Sequence, residues 1–360
     1  MSFTSVSTTA PHAAPDGLEE LFWSRLAIVT GKGGVGKTTF AAALGLAAAS
    51  SGRRTLLVEV EGRQSFSRIF RTQPWDYRER EFRPDLFGVA IDPHDAMYEY
   101  LELFYGLKRV SWVMSRVNAL DFVTAAAPGL RDLLLVGKVY EIEKRRRRDG
   151  RPVYDFVVLD APPTGKIVPF LQAPDAVTEI VRVGPIRRQA GNVIGMLEDP
   201  RRARVVVVTL LEEMPVAEGI EAVGALRDAE LTVGPIVANR VLSPRLGDAE
   251  FEALTSLGPA GLIDRARQGG ISLSREAAEL AIEQVVAHGS RVELEHRMRK
   301  RLLDGTGSPL LELPLLTRAT FEPADLEVLA ERIAMGVAQG GPLGGDGERR
   351  SAGATREEPS

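Results

Sequence analysis

Residues 31–38 read Gly-Lys-Gly-Gly-Val-Gly-Lys-Thr, which satisfies the pattern G-x-x-x-x-G-K-[ST]. The apolar run Leu26–Thr30 directly before this stretch is typical of a buried strand, and the Ala-rich segment Thr38–Ser50 after it predicts a helix. A glycine-rich turn between a strand and a helix can wrap its backbone N–H groups around phosphate oxygens, at the positive end of the helix dipole. The stretch therefore predicts a nucleotide-binding loop in an α/β fold.

Each residue type in this loop has its own expected role. The glycines permit the tight backbone turn. Lys37 is expected to reach the β- and γ-phosphates, and Thr38 is expected to offer its hydroxyl to Mg²⁺, so ATP and Mg²⁺ are the expected cofactors. The expected nucleotide-binding residues of the loop are Gly33, Gly34, Val35, Gly36, Lys37, Thr38 and Thr39.

Short apolar runs alternate with helical stretches along the chain, which predicts a doubly wound, mostly parallel α/β sheet. The further expected strands are Thr55–Val60, Leu86–Ile91, Val153–Leu159, Arg204–Leu210, Thr232–Ala238 and Pro309–Leu313. Later helices are expected over Pro215–Ala229, Ser274–Leu303 and Pro323–Val337. The expected domains are a nucleotide-binding domain over 23–338, with an inserted helical subdomain at about 92–148 and 166–200, and disordered tails at 1–22 and 339–360.

Composition narrows the classes of function. The chain has 360 residues, of which 44% are hydrophobic and 26% charged, as in ordinary globular proteins. Its net charge of −4 argues against bulk nucleic-acid binding. The absence of cysteine excludes disulfides, iron–sulfur clusters and thiolate zinc sites in this chain. With no signal-peptide pattern and no apolar run of spanning length, the expected location is cytoplasmic, without direct membrane insertion.

A second polar site follows the strand expected at Val153–Leu159. The sequence continues Asp160-Ala-Pro-Pro-Thr-Gly165, so a buried strand delivers a carboxylate to its carboxyl end. Ligand sites of parallel sheets lie at that edge, and Asp160 is therefore expected to hold Mg²⁺ together with Thr38. The alternative is that Asp160 caps a helix.

Lys32, at the second position of the loop, adds a family resemblance. The stretch Gly31–Thr38 resembles the deviant loop of the dimeric P-loop ATPases, a class that includes cell-division, plasmid-partition, nitrogenase-reductase and anion-pump groups. The resemblance implies that Lys32 crosses a dimer interface and acts in catalysis on the phosphates bound by the other subunit. The Asp160–Gly165 stretch resembles the switch of the arsenite-pump ATPases and of the tail-anchored-protein targeting factors. Val58–Gln64 is similar to the ArsA-like ATPases of high-GC Gram-positive bacteria.

Further matches to the anion-pump branch run from about Leu26 to Pro314. Thr209–Pro215 resembles the stretch that follows the next strand in that branch, and the resemblance implies that Asn239 and Pro314 lie against adenine. One departure concerns catalysis. The family usually has Asp-Pro-Ala-His after the second strand, with the Asp orienting the attacking water, whereas this chain has Glu61 at that position. The longer side chain displaces the carboxylate, so slow hydrolysis is expected.

The resemblance also implies partners. A homodimer, or a heterodimer with a paralogous ATPase, is expected, and ATP turnover would switch a client-binding face on the helical subdomain. The residues Met97, Phe104, Tyr105, Trp112 and Met114 either line that face or form the core of the subdomain. Lys144–Arg148 is interpreted as a solvated helix end, so no nucleic-acid partner is expected. No arsenite or zinc site through thiols is expected. The alternative function is a nucleotide-binding regulatory or scaffold subunit with negligible turnover.

Overall fold

The computed structural model describes residues 21–22, 24–60, 62, 64–105, 129–180, 184–242, 247–316 and 320–339. The strands are β1 (Leu26–Gly31), β2 (Thr55–Val60), β3 (Arg80–Arg83), β4 (Leu86–Ile91), β5 (Phe156–Asp160), β6 (Ala203–Thr209), β7 (Val233–Val241) and β8 (Leu310–Pro314). The helices are α1 (Lys37–Ser50), α2 (Ser65–Phe70), α3 (Pro93–Tyr105), α4 (Leu130–Lys144), α5 (Thr164–Leu171), α6 (Ala173–Ile180), α7 (Pro185–Leu197), α8 (Glu213–Asp228), α9 (Asp248–Gln268), α10 (Arg275–Thr306) and α11 (Pro323–Gln339).

The eight strands form one sheet in the order β3-β4-β2-β5-β1-β6-β7-β8. All neighbouring strands are parallel except β3, which runs antiparallel to β4 at one edge. The predicted α/β class with a mostly parallel, doubly wound sheet is therefore confirmed. β1 lies between β5 and β6, which brings the end of β5 beside the loop that follows β1.

The sheet is covered on both faces, as the continuous apolar strands predict. Leu26 and Ile28 of β1 belong to one hydrophobic cluster, while the alternating residues Ala27 and Val29 belong to another. Helices α4, α5, α7 and α8 contribute to the first cluster, and α1 and α11 contribute to the second. Burial on both faces holds β1 in place, and with it the start of the nucleotide-binding loop.

The sequence did not predict three elements, which are β3, α9 and the short helix α2. The edge strand β3 has the sequence Arg-Glu-Phe-Arg, and its charged, partly exposed residues give no apolar run. Helix α9 contains Gly258, which has non-helical dihedral angles, followed by Pro259, so its sequence reads as broken. The predicted start of β5 at Val153 was also too early, because the strand begins at Phe156.

The region expected to be a helical subdomain is only partly described, and its separation as a subdomain stays a prediction. Helices α3 and α4 lie in its first part, while Trp112 and Met114 fall outside the described residues. The second stretch forms the three helices α5, α6 and α7, with Pro169 inside α5 and Gly184-Pro185 at the start of α7. Tyr105 ends α3, and Met97 of the same helix is buried in the main hydrophobic core.

The predicted disordered tails lie outside the described residues except at their inner ends. There, Leu21 is 1% exposed and Phe22 stacks on Phe156 at 5.7 Å between ring centres, so the first tail meets the core before residue 23. Helix α11 extends to Gln339. No helix in the described part of the chain combines the length and the apolar content needed to cross a membrane.

Candidate nucleotide-binding site

The loop between β1 and α1 depends on glycine at defined positions. Gly31 has a φ of 152°, and a Cβ there would lie 2.1 Å from the carbonyl oxygen of Val208 on the neighbouring strand β6. Gly34 and Gly36 have φ values of 87° and 94°, in the left-handed region that favours glycine. The chain can therefore turn tightly against β6 and enter α1 at Lys37.

The tip of this loop is open to a ligand. A Cβ added at Gly33 or Gly34 would meet no atom within 4 Å, whereas Val35 is 1% exposed and anchors the loop in the core. No side chain caps the N-terminus of α1, and its first turn contains no acidic residue. The first N–H groups of a helix have no partner within the helix, so those of α1 can donate to an anion.

Lys37, Thr38 and Thr39 form the first turn of α1, and all three are half-buried. The Lys37 ammonium donates a hydrogen bond to the backbone carbonyl of Lys32, at 3.1 Å from Nζ to O. This contact folds the Lys37 side chain back onto the loop that precedes it. An ammonium there can exchange a backbone oxygen for a phosphate oxygen.

Thr38 and Asp160 are in direct contact although 122 positions separate them. The Thr38 hydroxyl donates to Asp160 Oδ2 at 2.6 Å, because β5 lies beside β1 and Asp160 is in register with Val29. Within the described ranges, no group of three or more His, Cys, Asp or Glu side chains could hold a metal ion. Mg²⁺ fits this pair nonetheless, since it usually takes one or two protein oxygens and completes its shell with water and phosphate.

The segment after Asp160 is tied to β1. The Ala161 N–H donates to Val29 O at 2.9 Å, and the Thr30 hydroxyl donates to Pro162 O at 2.7 Å. Asp160 is the last residue of β5, whereas α5 begins at Thr164 and the residue before its first turn is Pro163. Asp160 is therefore not at the cap position of this helix. A change at the Thr38–Asp160 pair can therefore reach α5 through a short connection.

Asn239 braces the loop from the end of β7. Its amide Nδ2 donates to Val35 O at 2.8 Å, its Oδ1 accepts from the Arg240 N–H at 3.0 Å, and the residue is 7% exposed. A Cβ on Gly36 would lie 2.2 Å from the same Nδ2. Asn239 is thus packed against the loop itself, a contact that the expected role against adenine does not include.

A cavity of about 310 Å³ adjoins this contact. The structure brings Gly36, Thr39, Asn239 and Pro314 together in its wall, and the contact of Asn239 and Pro314 with adenine stays a prediction. Sequence reasoning missed other wall residues, including Arg240, whose φ is 56°, and Phe321, which is 42% exposed. No periodicity or motif marks these positions.

Lys32 has a partner that the sequence does not indicate. Its Nζ lies 2.5 Å from Glu218 Oε1 in the second turn of α8, 186 positions away. Both side chains are about one third exposed, at 36% and 33%. In the isolated chain, the lysine expected to act across an interface is therefore paired with a carboxylate of its own subunit.

Glu61 lies outside the described residues, so its expected role stays a prediction. The strand before it ends at Val60 and carries Glu59, which is 1% exposed and accepts a hydrogen bond from the Ser65 N–H at 2.8 Å. Burial raises the pKa of Glu59, although the N–H groups at the start of α2 oppose this. Gln64 binds the backbone of Trp75 through both atoms of its amide.

Comparison with known proteins identifies the family. The family model of the anion-transporting ATPases (ArsA) matches residues 24–196. The ATPase BagA of Mycobacterium tuberculosis is 38% identical over 304 residues, which cover 81% of this chain and 88% of BagA. The arsenical pump-driving ATPase of Acidiphilium multivorum is 25% identical over 318 residues, which cover 83% of this chain and 52% of that protein. On the family match and the extent of the likeness to BagA, this chain belongs to the ArsA family of anion-transporting ATPases.

Proposed function

We propose that this ArsA-like ATPase binds ATP with Mg²⁺ at the loop Gly31–Thr38 and hydrolyses ATP as a dimer. The observation that carries the proposal is the 2.6 Å hydrogen bond between Thr38 and Asp160, beside glycines that leave room for phosphate. Two hard oxygen donors next to an uncapped helix N-terminus suit a magnesium-bound triphosphate.

Each residue has one task in the proposed reaction. Bound Mg²⁺ would supply positive charge that offsets the negative charge of the phosphates. Thr38 and Asp160 hold it, and Lys37 exchanges the Lys32 carbonyl for a phosphate oxygen. Lys32 acts on the nucleotide of the other subunit, and Glu61 orients the attacking water; these two roles rest on the family resemblance.

The partner is a second copy or a paralogous ATPase, and the output is a change in a client-binding face on the helical segments α3–α7. Two features support this coupling. Helix α5 begins four positions after Asp160, and α5 contacts both α4 and α8. A shift of the Thr38–Asp160 pair on nucleotide binding would therefore move helices on one face of the sheet. No feature of the described residues favours a particular client.

Phosphate release measured for three lysine variants tests the catalytic proposal. Lys37→Ala and Lys32→Ala should each reduce turnover by about 10³-fold, because charge stabilisation of a transferring phosphoryl group is worth at least that much. Lys300→Ala on the exposed side of α10 is the matched control and should behave as the wild type. Full turnover by Lys32→Ala would contradict the role across the interface.

A magnesium titration tests the metal site separately. Asp160→Asn keeps the size of the side chain but removes its charge, so the Mg²⁺ concentration for half-maximal turnover should rise about tenfold or more. The affinity of this variant for a fluorescent ATP analogue, measured without Mg²⁺, should change much less. Equal loss of ATP binding with and without Mg²⁺ would contradict a metal role for Asp160.

The alternative of a scaffold subunit with negligible turnover rests on Glu61. Glu61→Asp restores the residue that the family usually carries, and it discriminates between the two functions. A large gain in phosphate release would favour the scaffold function for the natural chain. A loss of phosphate release would show that Glu61 works in catalysis as it stands.

A further inference from the structure

The ion pair between Lys32 and Glu218 joins the nucleotide-binding loop to helix α8. Gly31, which precedes Lys32, is in register with Val208 on β6, and α8 begins shortly after β6 ends. The loop and the helix therefore follow the carboxyl ends of two neighbouring parallel strands. This topology explains how the Lys32 Nζ comes within 2.5 Å of Glu218 Oε1.

Lys32 is engaged at two points in this arrangement. Its ammonium meets Glu218, and its backbone carbonyl accepts the hydrogen bond from Lys37. The side chain thus lies along its own subunit, over the start of α8. A lysine held there must rotate away from α8 before it can contact a nucleotide bound by another copy of the chain.

We propose that Glu218 is a positioning residue that holds Lys32 within its own subunit and so sets the ATP concentration at which two subunits pair. This inference rests on the proposed dimeric function. On pairing, the ammonium of Lys32 exchanges the Glu218 carboxylate for phosphate oxygens of the partner's nucleotide. The carboxylate returns to water or to a surface cation.

The exposure of the pair makes the exchange feasible. Ion pairs that are about one third exposed are screened by water and contribute little, so they can be broken at small cost. A triphosphate carries several negative charges against the single charge of Glu218, so phosphate is the stronger partner for the ammonium. The pair therefore sets a low threshold for dimer formation.

The size of the threshold follows from the value of such ion pairs. A contribution of up to about 1 kcal/mol corresponds to about a fivefold change in an equilibrium constant. Each dimer breaks two of these pairs, so removal of the carboxylate should tighten dimer formation by up to about 25-fold. An effect of this size is measurable at nanomolar to micromolar protein concentrations.

The test compares Glu218→Gln with Glu221→Gln, an exposed carboxylate on the same helix. Mass photometry of the full chain is carried out over a range of a non-hydrolysable ATP analogue with Mg²⁺. Glu218→Gln should form dimers at several-fold lower analogue concentration than the wild type, whereas Glu221→Gln should match the wild type. Glu218→Asp, which keeps the charge, should restore part of the wild-type threshold.

The same substitution in a chain that lacks the Lys32 side chain shows whether the shift in dimerisation depends on Lys32. In a Lys32→Ala chain, Glu218→Gln should cause no further shift in the dimerisation midpoint, because the partner of the carboxylate is gone. An unchanged or raised midpoint for Glu218→Gln in the natural chain would overturn the inference, as would the same shift in the Lys32→Ala background. If the natural chain forms no dimers at any analogue concentration, the proposed dimeric function itself fails and this inference with it.

Discussion

Replacement of Gly36 by alanine tests the packing of the loop against Asn239. Gly34 provides the matched control, since both glycines have a left-handed backbone but only Gly36 faces an obstacle. An alanine at either site should cost about 1–2 kcal/mol of unfolding free energy through backbone strain. At Gly36 the new Cβ would lie 2.2 Å from Asn239 Nδ2, which is itself bonded to Val35 O. The buried amide must move and lose that bond, which adds about 1–3 kcal/mol.

Urea unfolding without nucleotide measures these differences, with Gly150→Ala as a remote control that has a φ of 83° and open space around it. Gly34→Ala and Gly150→Ala should be destabilised by similar amounts, and Gly36→Ala by clearly more. The double variant Gly36→Ala/Asn239→Ala should lose less than the sum of the two single changes, because truncation of Asn239 removes the obstacle. Equal destabilisation by Gly34→Ala and Gly36→Ala, with additive effects in the double variant, would refute this account of the loop.

Three further predictions concern stability. Glu143→Gln should lower the free energy of unfolding by about 1–3 kcal/mol in a denaturant titration, because Glu143 is 1% exposed and accepts the Arg25 Nε–H at 2.6 Å. Burial alone would raise the pKa of Glu143, but its arginine partners outweigh burial and lower the pKa overall. The difference in unfolding free energy between the natural chain and Glu143→Gln should therefore shrink as pH falls through the folded-state pKa. Glu59→Gln should raise the melting temperature at about pH 8, because burial raises the pKa of Glu59 and its ionised carboxylate then opposes folding. The gain should narrow towards about pH 5, since the contribution of Glu59 to stability is retained at low pH and lost as pH rises. Gly88→Ala should destabilise by about 1–3 kcal/mol by calorimetry, since its Cβ would lie 2.5 Å from the ring of Trp75.

The central part of the fold could be predicted from the sequence because its physics is local. Strands buried on both faces, such as β2 and β6, consist mostly of apolar residues, and a run of such residues is visible in the sequence. The glycines of the loop are equally readable, since their left-handed backbone excludes most other residues. The edge strand β3 reads Arg-Glu-Phe-Arg, so charged residues dominate it and no apolar pattern distinguishes it from a loop.

The contacts within the candidate site depend on the tertiary fold and carry no local signal. The sequence places Asp160 at the end of a buried strand, and the structure agrees. The sequence does not show that β1 is the neighbour of this strand. Glu218 is one of several acidic residues on α8, and only the adjacency of β1 and β6 selects it as the partner of Lys32. The bond from Asn239 to Val35 spans 204 positions and likewise requires the strand order.

The place of β1 within the sheet has a consequence for synthesis on the ribosome. The loop is translated before Asp160 and Asn239, which complete its surroundings and follow 122 residues after Thr38 and 204 residues after Val35. Until β5 and β6 are translated, β1 lacks both of its neighbours and presents unpaired backbone groups on either side. The nascent chain therefore passes through a long interval in which it cannot hold nucleotide and is open to mispairing, and chaperone binding during translation is expected to be concentrated in that interval.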